Sequence, residues 1–162
     1  MLLQRQDALE VDASEPSQML GTPVYDALVL EGESGRMKLE TAVMVCTQSK
    51  NIVTTALQGR DGTVKEYISD GDYQISVEAL LLGENGYRLP ESGVRTLVAL
   101  CKEKASLKAY SQFLQFFGVQ DVVVESYNVA QVRGSRSTLP VSMSLISDRP
   151  IELRLTDNVS NL

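Results

Sequence analysis

Residues 73–80, YQISVEAL, alternate between apolar and polar side chains over a full strand length. Successive side chains of an extended strand point to opposite sides, so this alternation places the apolar groups on one face. That face carries Tyr73, Ile75, Val77 and Ala79. A strand with one apolar and one polar face is typical of an antiparallel sheet that covers a core on one side only. We therefore predict a half-buried strand here.

The chain before this strand also consists of strand-forming runs separated by turn-forming residues. Further strands are predicted at 24–30, 36–47, 51–57 and 63–68. A turn is predicted at 32–35, and Gly59-Arg60-Asp61-Gly62 indicates a tight reversal between two strands. We interpret Thr63–Leu82 as a second hairpin whose turn is Ser69-Asp70-Gly71-Asp72, because Asp and Gly dominate turns.

After Pro90 the apolar period changes to about 3.6 residues, which predicts helices. The first has Ser92 as its N-cap and an apolar face formed by Val94, Leu97, Val98 and Cys101. A second helix is predicted at 107–117, with Ser106 as its N-cap and Gly118 as a left-handed C-cap on which Val119 packs. Its apolar stripe is Leu107, Tyr110, Phe113, Leu114 and Phe117, with Phe116 outside it.

The pattern then returns to strands, so the fold is predicted from the order of the elements. Strands are predicted at 121–127, 138–147 and 151–155, with a turn at 133–136. Antiparallel hairpins interrupted by one helical excursion, about residues 91–117, indicate an α+β fold. We predict an antiparallel β-sandwich or barrel that forms one domain over residues 23–156.

The two ends of the chain are predicted to lie outside that domain. Residues 1–22 carry four acidic side chains and no regular apolar period, so we predict a flexible arm that contacts a neighbouring subunit. Residues 157–162 are predicted to form a C-terminal tail. The first residues are interrupted by charge, which is not typical of a secretory signal. No apolar run reaches the roughly 18 residues that a membrane helix needs, so no membrane insertion is expected.

The charge distribution disfavours nucleic acid as a partner. The net charge is −6, and residues 1–90 hold 7 basic and 14 acidic side chains. An acidic surface repels a phosphate backbone unless a local basic patch forms. Arg133 and Arg136 are too few for such a patch, so we expect no sequence-specific nucleic-acid binding.

Composition also excludes much of enzyme chemistry. The chain has no histidine, which removes histidine bases, the common catalytic triads and histidine metal sites. Its two cysteines, Cys46 and Cys101, are too few for a four-ligand zinc site, and their separation fits no redox pair. Asp61, Asp70 and Asp72 lack the spacing of a calcium loop. We expect no metal site and no cofactor.

One nucleophilic pairing is left open by the composition. Ser106 lies in sequence beside Lys104 and Lys108, and a serine with a lysine base is a known catalytic arrangement. Surface polarity explains these residues more simply, since charges on one helix face are usually solvated. We therefore predict no catalytic residue and a protein that is not an enzyme.

Three stretches together resemble a known family. They are residues 49–55 with 59–73, residues 117–127, and residues 140–148. Together they resemble a prophage-encoded family, often labelled only as a domain of unknown function, that is found among tail and baseplate genes of phage-like particles. The resemblance spans about residues 36–155. It implies a phage tail-tube-like fold, in which a β-sandwich or barrel with a flanking helix assembles edge to edge into rings.

The same resemblance implies a function and partners. Relatives of that fold are non-enzymatic subunits of phage tails, baseplates or contractile injection systems. The implied partners are further copies of the chain, in a hexameric ring, and other tail or baseplate proteins. The implied location is the bacterial cytoplasm during assembly and the virion tail or injection particle at maturity.

The hairpin Thr63–Leu82 is the candidate assembly interface. In tail-tube-like relatives a long hairpin lines the ring and pairs with the next subunit. The residues that flank or form its predicted turn are Tyr67, Ile68, Asp70, Gly71, Asp72 and Tyr73. An ordinary surface hairpin is the competing interpretation. A β-sandwich module that binds a carbohydrate or another ligand is the alternative function, although the chain has no Trp and only six Tyr.

Overall fold

The computed structural model describes residues 17–19, 22–83 and 88–149, with side chains from residue 26 onward. Seven strands and two helices lie within this part of the chain. The strands are β1 Ser17–Met19, β2 Thr22–Gly32, β3 Gly35–Ala56, β4 Thr63–Leu82, β5 Leu107–Tyr110, β6 Asp121–Val129 and β7 Thr138–Asp148. The helices are α1 Glu91–Cys101 and α2 Gln112–Gln115.

The strands form one antiparallel sheet that closes on itself. Their order is β1-β2-β3-β4-β7-β6-β5, and β5 also pairs with β2. This last pairing, Val29 with Tyr110 through Glu31 with Lys108, joins the two ends of a six-stranded sheet. The predicted α+β fold with an antiparallel sandwich or barrel is therefore confirmed, and the molecule has the barrel form.

The core fills the inside of this barrel. Alternate residues of β4 and β7 point inward, which confirms the inward face predicted for residues 73–80. The inward residues of these two strands are Ile75, Val77, Ala79, Leu81, Leu139, Val141, Met143 and Leu145. Helix α1 contacts β2, β3 and β6, so it lies across the barrel and adds Leu97 and Leu100 to the core.

The first predicted helix is confirmed, but its N-cap is not. The helix begins at Glu91, Pro90 holds the N-cap position, and no side chain caps the helix. Ser92 lies inside the first turn. Val94 and Cys101 pack partly buried against the core, as the predicted apolar face requires.

The second predicted helix, 107–117, is wrong over most of its length. Residues 107–110 form β5, and only 112–115 are helical. Leu107 and Ala109 fit a period of two as well as a helical stripe, and closure of the barrel favours the strand, since tertiary pairing overrides local propensity. The end of the segment is as predicted: Gly118 has φ +68°, and Val119 is buried.

The N-cap of the short helix is Ser111, not Ser106. The Phe113 N–H donates to the Ser111 hydroxyl at 3.2 Å and to Asp26 Oδ2 at 2.8 Å, and the Ser111 hydroxyl also donates to Asp26 Oδ2. Ser111 is fully buried, so these bonds satisfy a polar group that has lost its water. They tie α2 to strand β2.

The predicted turn at residues 69–72 is also wrong. Residues 63–82 form one continuous strand, and the chain reverses instead between Ala56 and Thr63, near the predicted reversal at 59–62. Residues 36–47 and 51–57 are correspondingly one strand, β3. The turn-forming residues 69–72 instead lie at a pair of β-bulges. The register between β4 and β3 shifts between Gln48 and Lys50 and again between Asn51 and Ile52.

The remaining strand predictions divide between confirmed and undescribed residues. The strands predicted at 24–30, 121–127 and 138–147 match β2, β6 and β7. The strand predicted at 151–155 and the tail 157–162 lie outside the described residues. Of the predicted arm 1–22, residues 17–19 form β1 on the edge of β2 and Thr22 begins β2, whereas residues 1–16, 20 and 21 lie outside the described part.

Candidate functional site

Strands β3 and β4 continue past the barrel as a two-stranded ribbon. Seven residue pairs, from Lys50 with Asp70 to Ala56 with Thr63, hold it together. They span about 20 Å at roughly 3.3 Å per residue. Every side chain from Ser49 to Asp70 is exposed. We call residues 49–70 the hairpin arm.

Both outer edges of the arm are open within the described part of the chain. Strand β2 pairs with β3 only as far as Ala42, and β7 pairs with β4 only from Gln74. Residues 43–56 of β3 and 63–73 of β4 therefore have a strand neighbour on one side alone. The outward N–H and C=O groups of residues 43–56 and 63–70 are available to pair with another strand, whereas Gly71 and Tyr73 form hydrogen bonds with Gln48 and Ser147.

The arm also exposes apolar side chains on both of its faces. Ile52 and Tyr67 are a directly opposed pair on one face, and Thr55 with Val64 lies on the other. Ile68 and Tyr67 are 62% and 60% exposed, which are among the highest values for large apolar side chains in the described residues. The remaining exposed apolar residues of the arm are Ile52, Val53, Leu57 and Val64. A solvated ribbon gains nothing from such side chains, whereas an interface does.

Two bulges at the base of the arm account for the Ser-Asp-Gly-Asp sequence. Ile68 is the extra residue of the first bulge, and the second falls at Gly71 and Asp72. A Cβ at Gly71 would lie 2.7 Å from the Ser49 carbonyl oxygen, so only glycine permits this close approach of the two strands. The Gly71 carbonyl accepts a hydrogen bond from Gln48 Nε2 at 3.0 Å.

A small polar cluster lies on the arm beside the first bulge. The Lys50 ammonium is 5.8 Å from the centre of the Tyr67 ring. A hydrogen bond to Asp70 raises the pKa of Tyr67 above its ordinary value, so the phenol keeps its proton at neutral pH. Asn51 Nδ2 donates to the Ser69 hydroxyl at 2.9 Å and links the two strands at the same level.

The six predicted interface residues do not all lie on the arm. Tyr67, Ile68, Asp70 and Asp72 are exposed, as an interface requires. Tyr73 instead belongs to the barrel, where its ring packs against Phe117 with centroids 5.7 Å apart. Its N–H donates to the Ser147 hydroxyl at 2.9 Å. Tyr73 therefore fixes the base of the arm to the barrel, and Gly71 allows the close approach of the two strands at the second bulge.

Sequence reasoning missed the other half of the interface candidate. Residues 50–56 of β3 are as exposed as their partners in β4 and form the second open edge. The signal was present in the sequence, because Ile52 and Val53 follow a strand already long enough to cross the barrel. Because two separate strands were predicted, ending at residue 47 and beginning at residue 51, the second was not assigned to the interface.

The serine and lysine pairing that the sequence left open is not formed between Ser106 and Lys108. The Ser106 hydroxyl donates to Asp148 Oδ2, and Lys108 pairs with Asp121 at 2.5 Å, so the open serine and lysine pairing is not formed. Burial raises the pKa of the Cys101 thiol to about 11 and also raises that of Cys46, which keeps both thiols protonated. Among residues 17–19, 22–83 and 88–149, no three acidic or cysteine side chains form a metal-binding group.

Two further features bear on the alternative functions. Among the residues with described side chains, the exposed aromatic ones lie on three different elements: Tyr67 on the arm, Phe116 at the C-cap of α2 and Tyr127 on β6. Neither described helix has the length and apolar character that crossing a membrane requires.

Comparisons with known proteins find similar chains among solved structures and a matching family. A search of curated proteins finds no match. A solved structure entitled "Virion of native gene transfer agent (GTA) particle" contains a similar chain, with 10% sequence identity and a TM-score of 0.43. The similarity covers 76% of this chain and 92% of that chain. The model of a family described as a domain of unknown function, DUF6046, matches residues 38–158, and the chain belongs to this family.

Proposed function

We propose that this chain is a non-enzymatic structural subunit of a phage tail, baseplate or contractile injection apparatus. It assembles into rings through the open strand edges of the hairpin arm and through contacts of its N-terminal arm with a neighbouring copy. The observation that carries the proposal is the hairpin arm itself, a ribbon whose two edges and two faces have no neighbour in the described part of the chain.

The open edges support pairing between copies. A two-stranded ribbon is marginally stable alone, and a long unpaired edge is a template for another strand. Proteins that remain monomeric shorten, twist or charge such edges. Here residues 43–56 of β3 stay open over 14 positions, and the stretch includes a single charged side chain, Lys50.

The β3 edge of one copy can pair with the β4 edge of another. In a ring, the β3 edge of one copy meets the β4 edge of the next, which is a heterologous contact that closes after a fixed number of copies. The strands that meet are antiparallel, because β3 and β4 run in opposite directions within each copy. Such pairing satisfies backbone groups that water satisfies in the isolated chain.

The exposed apolar residues support burial of the arm in the assembled state. Burial of apolar area contributes about 25 cal/mol per Å². Ile52, Tyr67 and Ile68 are about half or more exposed and are therefore available for that gain. Glu66, Asp70 and Asp72 would give a ring lumen an acidic wall, which repels passing DNA and limits its adhesion.

The resemblance supplies the rest of the proposal. The ring is hexameric, its further partners are other tail or baseplate proteins, and no cofactor is involved. The chain assembles in the bacterial cytoplasm and ends in the virion tail or injection particle. Catalysis has no part in this function.

The test is the mass of the full chain in solution over a range of concentrations. We expect the wild-type chain to form ring-sized species and Ile68→Asp to shift them toward the monomer. Leu82→Asp is the matched control, since Leu82 is 60% exposed on the same strand but lies at the barrel end. A wild-type chain that remains strictly monomeric at all concentrations contradicts the proposal.

A further inference from the structure

A basic cavity of about 970 Å³ lies at the end of the barrel where β3 begins and β4 ends. Its charged lining residues are Lys38, Arg88, Arg95, Arg136 and Glu91. None of the four cations forms an ion pair with another described residue. The four cations and one carboxylate give the lining a net charge of +3, on a chain whose net charge is −6. Such a local excess of positive charge attracts an anionic partner.

Apolar side chains also line the cavity. Met37 and Leu81 are buried members of the core that reach it, and Leu89, which is 46% exposed, belongs to the same lining. Gly93 of α1 leaves this part of the cavity open, because an added Cβ would lie 3.8 Å from Met37 and 3.9 Å from Leu81. A purely ionic ligand would leave this apolar surface in contact with water, which is unfavourable.

Gly83 holds together the two loops that carry Arg88 and Arg136. The Gly83 N–H donates to the carbonyl oxygen of Ser137, the residue after Arg136, at 2.7 Å. An added Cβ at Gly83 would overlap the Arg88 carbonyl oxygen, so only glycine permits this close approach. The backbone at both arginines is therefore held in place before any ligand binds, which lowers the ordering cost of binding.

The cavity and the hairpin arm lie at opposite ends of the barrel. Lys38 lines the cavity, and Lys50, twelve residues later in β3, is the first paired residue of the arm. Twelve strand residues span about 40 Å. The arm of the same chain is therefore too far away to cover the cavity, and the cavity lies outside the strand edges that we assign to contacts between copies.

A partner for this surface must combine several carboxylates with an apolar group. Lys38 belongs to β3 and Arg95 to α1. Arg88 precedes α1, and Arg136 lies between β6 and β7. Carboxylates spread along a chain match cations on separate elements better than one phosphate does. A small anion leaves the apolar surface uncovered, and an apolar peptide leaves the charges unmatched. A short protein segment with carboxylates on both sides of an apolar residue meets both requirements.

We propose that this cavity binds an acidic segment of another protein of the same particle, in which carboxylates flank one or two large apolar residues. The carboxylates pair with Lys38 and the three arginines, and the apolar side chains cover Met37 and Leu81. Each exposed ion pair contributes little, so several pairs act together with the burial of apolar area. The inference deepens the proposed function and rests on it for the presence of such a partner: the arm joins copies of this chain, and the cavity binds a different protein.

Peptide binding to the full chain tests the proposal. The probe is a fluorescein-labelled hexapeptide with two central leucines and two glutamates on each side, and fluorescence anisotropy measures its affinity. In one control peptide serines replace the leucines, and in a second glutamines replace the glutamates. We expect one probe to bind per chain, and each control peptide to bind about ten-fold more weakly, because each keeps only one of the two kinds of contact.

Charge-removing variants locate the bound peptide. R88Q/R95Q/R136Q removes three cations of the cavity and should weaken binding of the probe about ten-fold. The matched control removes three exposed cations that lie outside the lining and should leave the affinity unchanged; it is K102Q/K104Q/R133Q. All six positions are exposed, so both variants should fold, and thermal melts check this.

A second pair of variants tests the cavity without changing its charge. Gly93→Leu extends a side chain toward Met37 and Leu81 and should weaken binding of the probe by blocking the apolar surface. Gly93→Ala is the matched control, since its Cβ makes only ordinary contacts there, and it should bind the probe almost as the wild type does.

Each other occupant gives a different result. Equal affinity for the serine control peptide means that the surface attracts anions in general, and displacement of the probe by dodecanoate at a lower concentration than by unlabelled probe means a site for a small amphiphile. Tighter binding of a peptide with residues 64–72 of this chain means that the arm of a second copy fills the cavity. No saturable binding of the probe, or equal binding by the cavity variants, means that no acidic segment docks there. Any of these results overturns the proposal.

The same binding measurement on the Ile68→Asp chain separates this inference from the proposed function. The inference requires the probe to bind this chain as it binds the wild type, because Ile68 is far from the cavity along β4. A chain that binds the probe but never forms rings contradicts ring assembly alone. A chain that forms rings but does not bind the probe contradicts the docking site alone.

Discussion

Strands β3 and β4 each pass through two different environments. In the barrel, Ile75 and Val77 of β4 are fully buried, and Ser76 between them faces solvent. In the hairpin arm the same two strands keep their pairing but expose every side chain. The hydrogen-bond ladder is therefore common to both regions, and the packing is confined to one. The comparison teaches that the barrel accounts for the stability of the fold and the arm is available for function.

Truncation of apolar side chains gives the largest contrast between the two regions. Ile75→Ala removes a fully buried side chain from the core and should lower the free energy of unfolding by about 2–5 kcal/mol. Ile52→Ala, in the exposed arm, should change it by about 0.5 kcal/mol or less. Urea unfolding of the monomer measures both. Equal losses would mean that the arm is part of the cooperative core.

Gly71→Ala tests the bulge that joins the two regions. The added Cβ meets the Ser49 carbonyl oxygen at 2.7 Å, so one strand must move. We expect a loss of about 1–3 kcal/mol, the usual range for overpacking, with faster amide exchange at residues 48–51. Gly93→Ala, in helix α1 where an added Cβ would lie 3.8 Å from its nearest neighbour, Met37, is a control for the loss of a glycine. A Gly71→Ala variant with the same stability and amide exchange as the wild type would show that the close approach of Gly71 to Ser49 is not required.

Ile68→Pro tests the arm with little effect on the fold. Ile68 has no partner in the β3–β4 ladder, and proline is tolerated at bulges, so the loss of stability should stay below about 1 kcal/mol. Val77→Pro, paired on both sides in the barrel, is the control and should prevent folding. The mass in solution should fall for Ile68→Pro if its strand is an edge between subunits. A folded Ile68→Pro variant that assembles normally would show that β4 is not part of the interface.

The smallest expected effect is a pH dependence at the end of the barrel far from the arm. Hydrogen bonds from the Ser34 side chain and from the Ser34 and Glu33 N–H groups lower the pKa of Glu103 below its ordinary value. A carboxyl whose pKa is lower in the folded state stabilises the fold above its unfolded pKa, and the contribution disappears as the pH falls through its folded pKa. Glu103→Gln should therefore be slightly less stable than the wild type at pH 7, and the difference should shrink as the pH is lowered through the folded pKa. Thermal melts over a range of acid pH values measure this, and a difference that stays constant as the pH falls contradicts the assignment.

The sequence predicted those parts of the fold in which local pattern and tertiary packing agree. Residues 73–80 and 138–147 alternate because one face packs on the core, and both are strands. Residues 107–110 were predicted as helix because two apolar positions in four residues fit either period, and only the pairing with β2 decides between them. Residues 69–72 have the composition of a turn, but a bulge uses the same residues.

The candidate site was predicted in part for the same reason. Tyr67 and Ile68 were recognised from their place near an apparent turn, and both are exposed. The β3 half of the arm and the role of Tyr73 as an anchor depend on register and on the position of Phe117, which no local pattern contains.

Amide hydrogen exchange of the arm, compared between monomer and assembled particle, tests the central claim most directly. We expect residues 49–70 to exchange fast in the monomer, since both of their edges face water, and to become protected on assembly as neighbouring strands cover those edges. The inward strands β4 at 74–82 and β7 should be protected in both states. An arm that exchanges equally fast in the monomer and in the assembled particle would contradict the account.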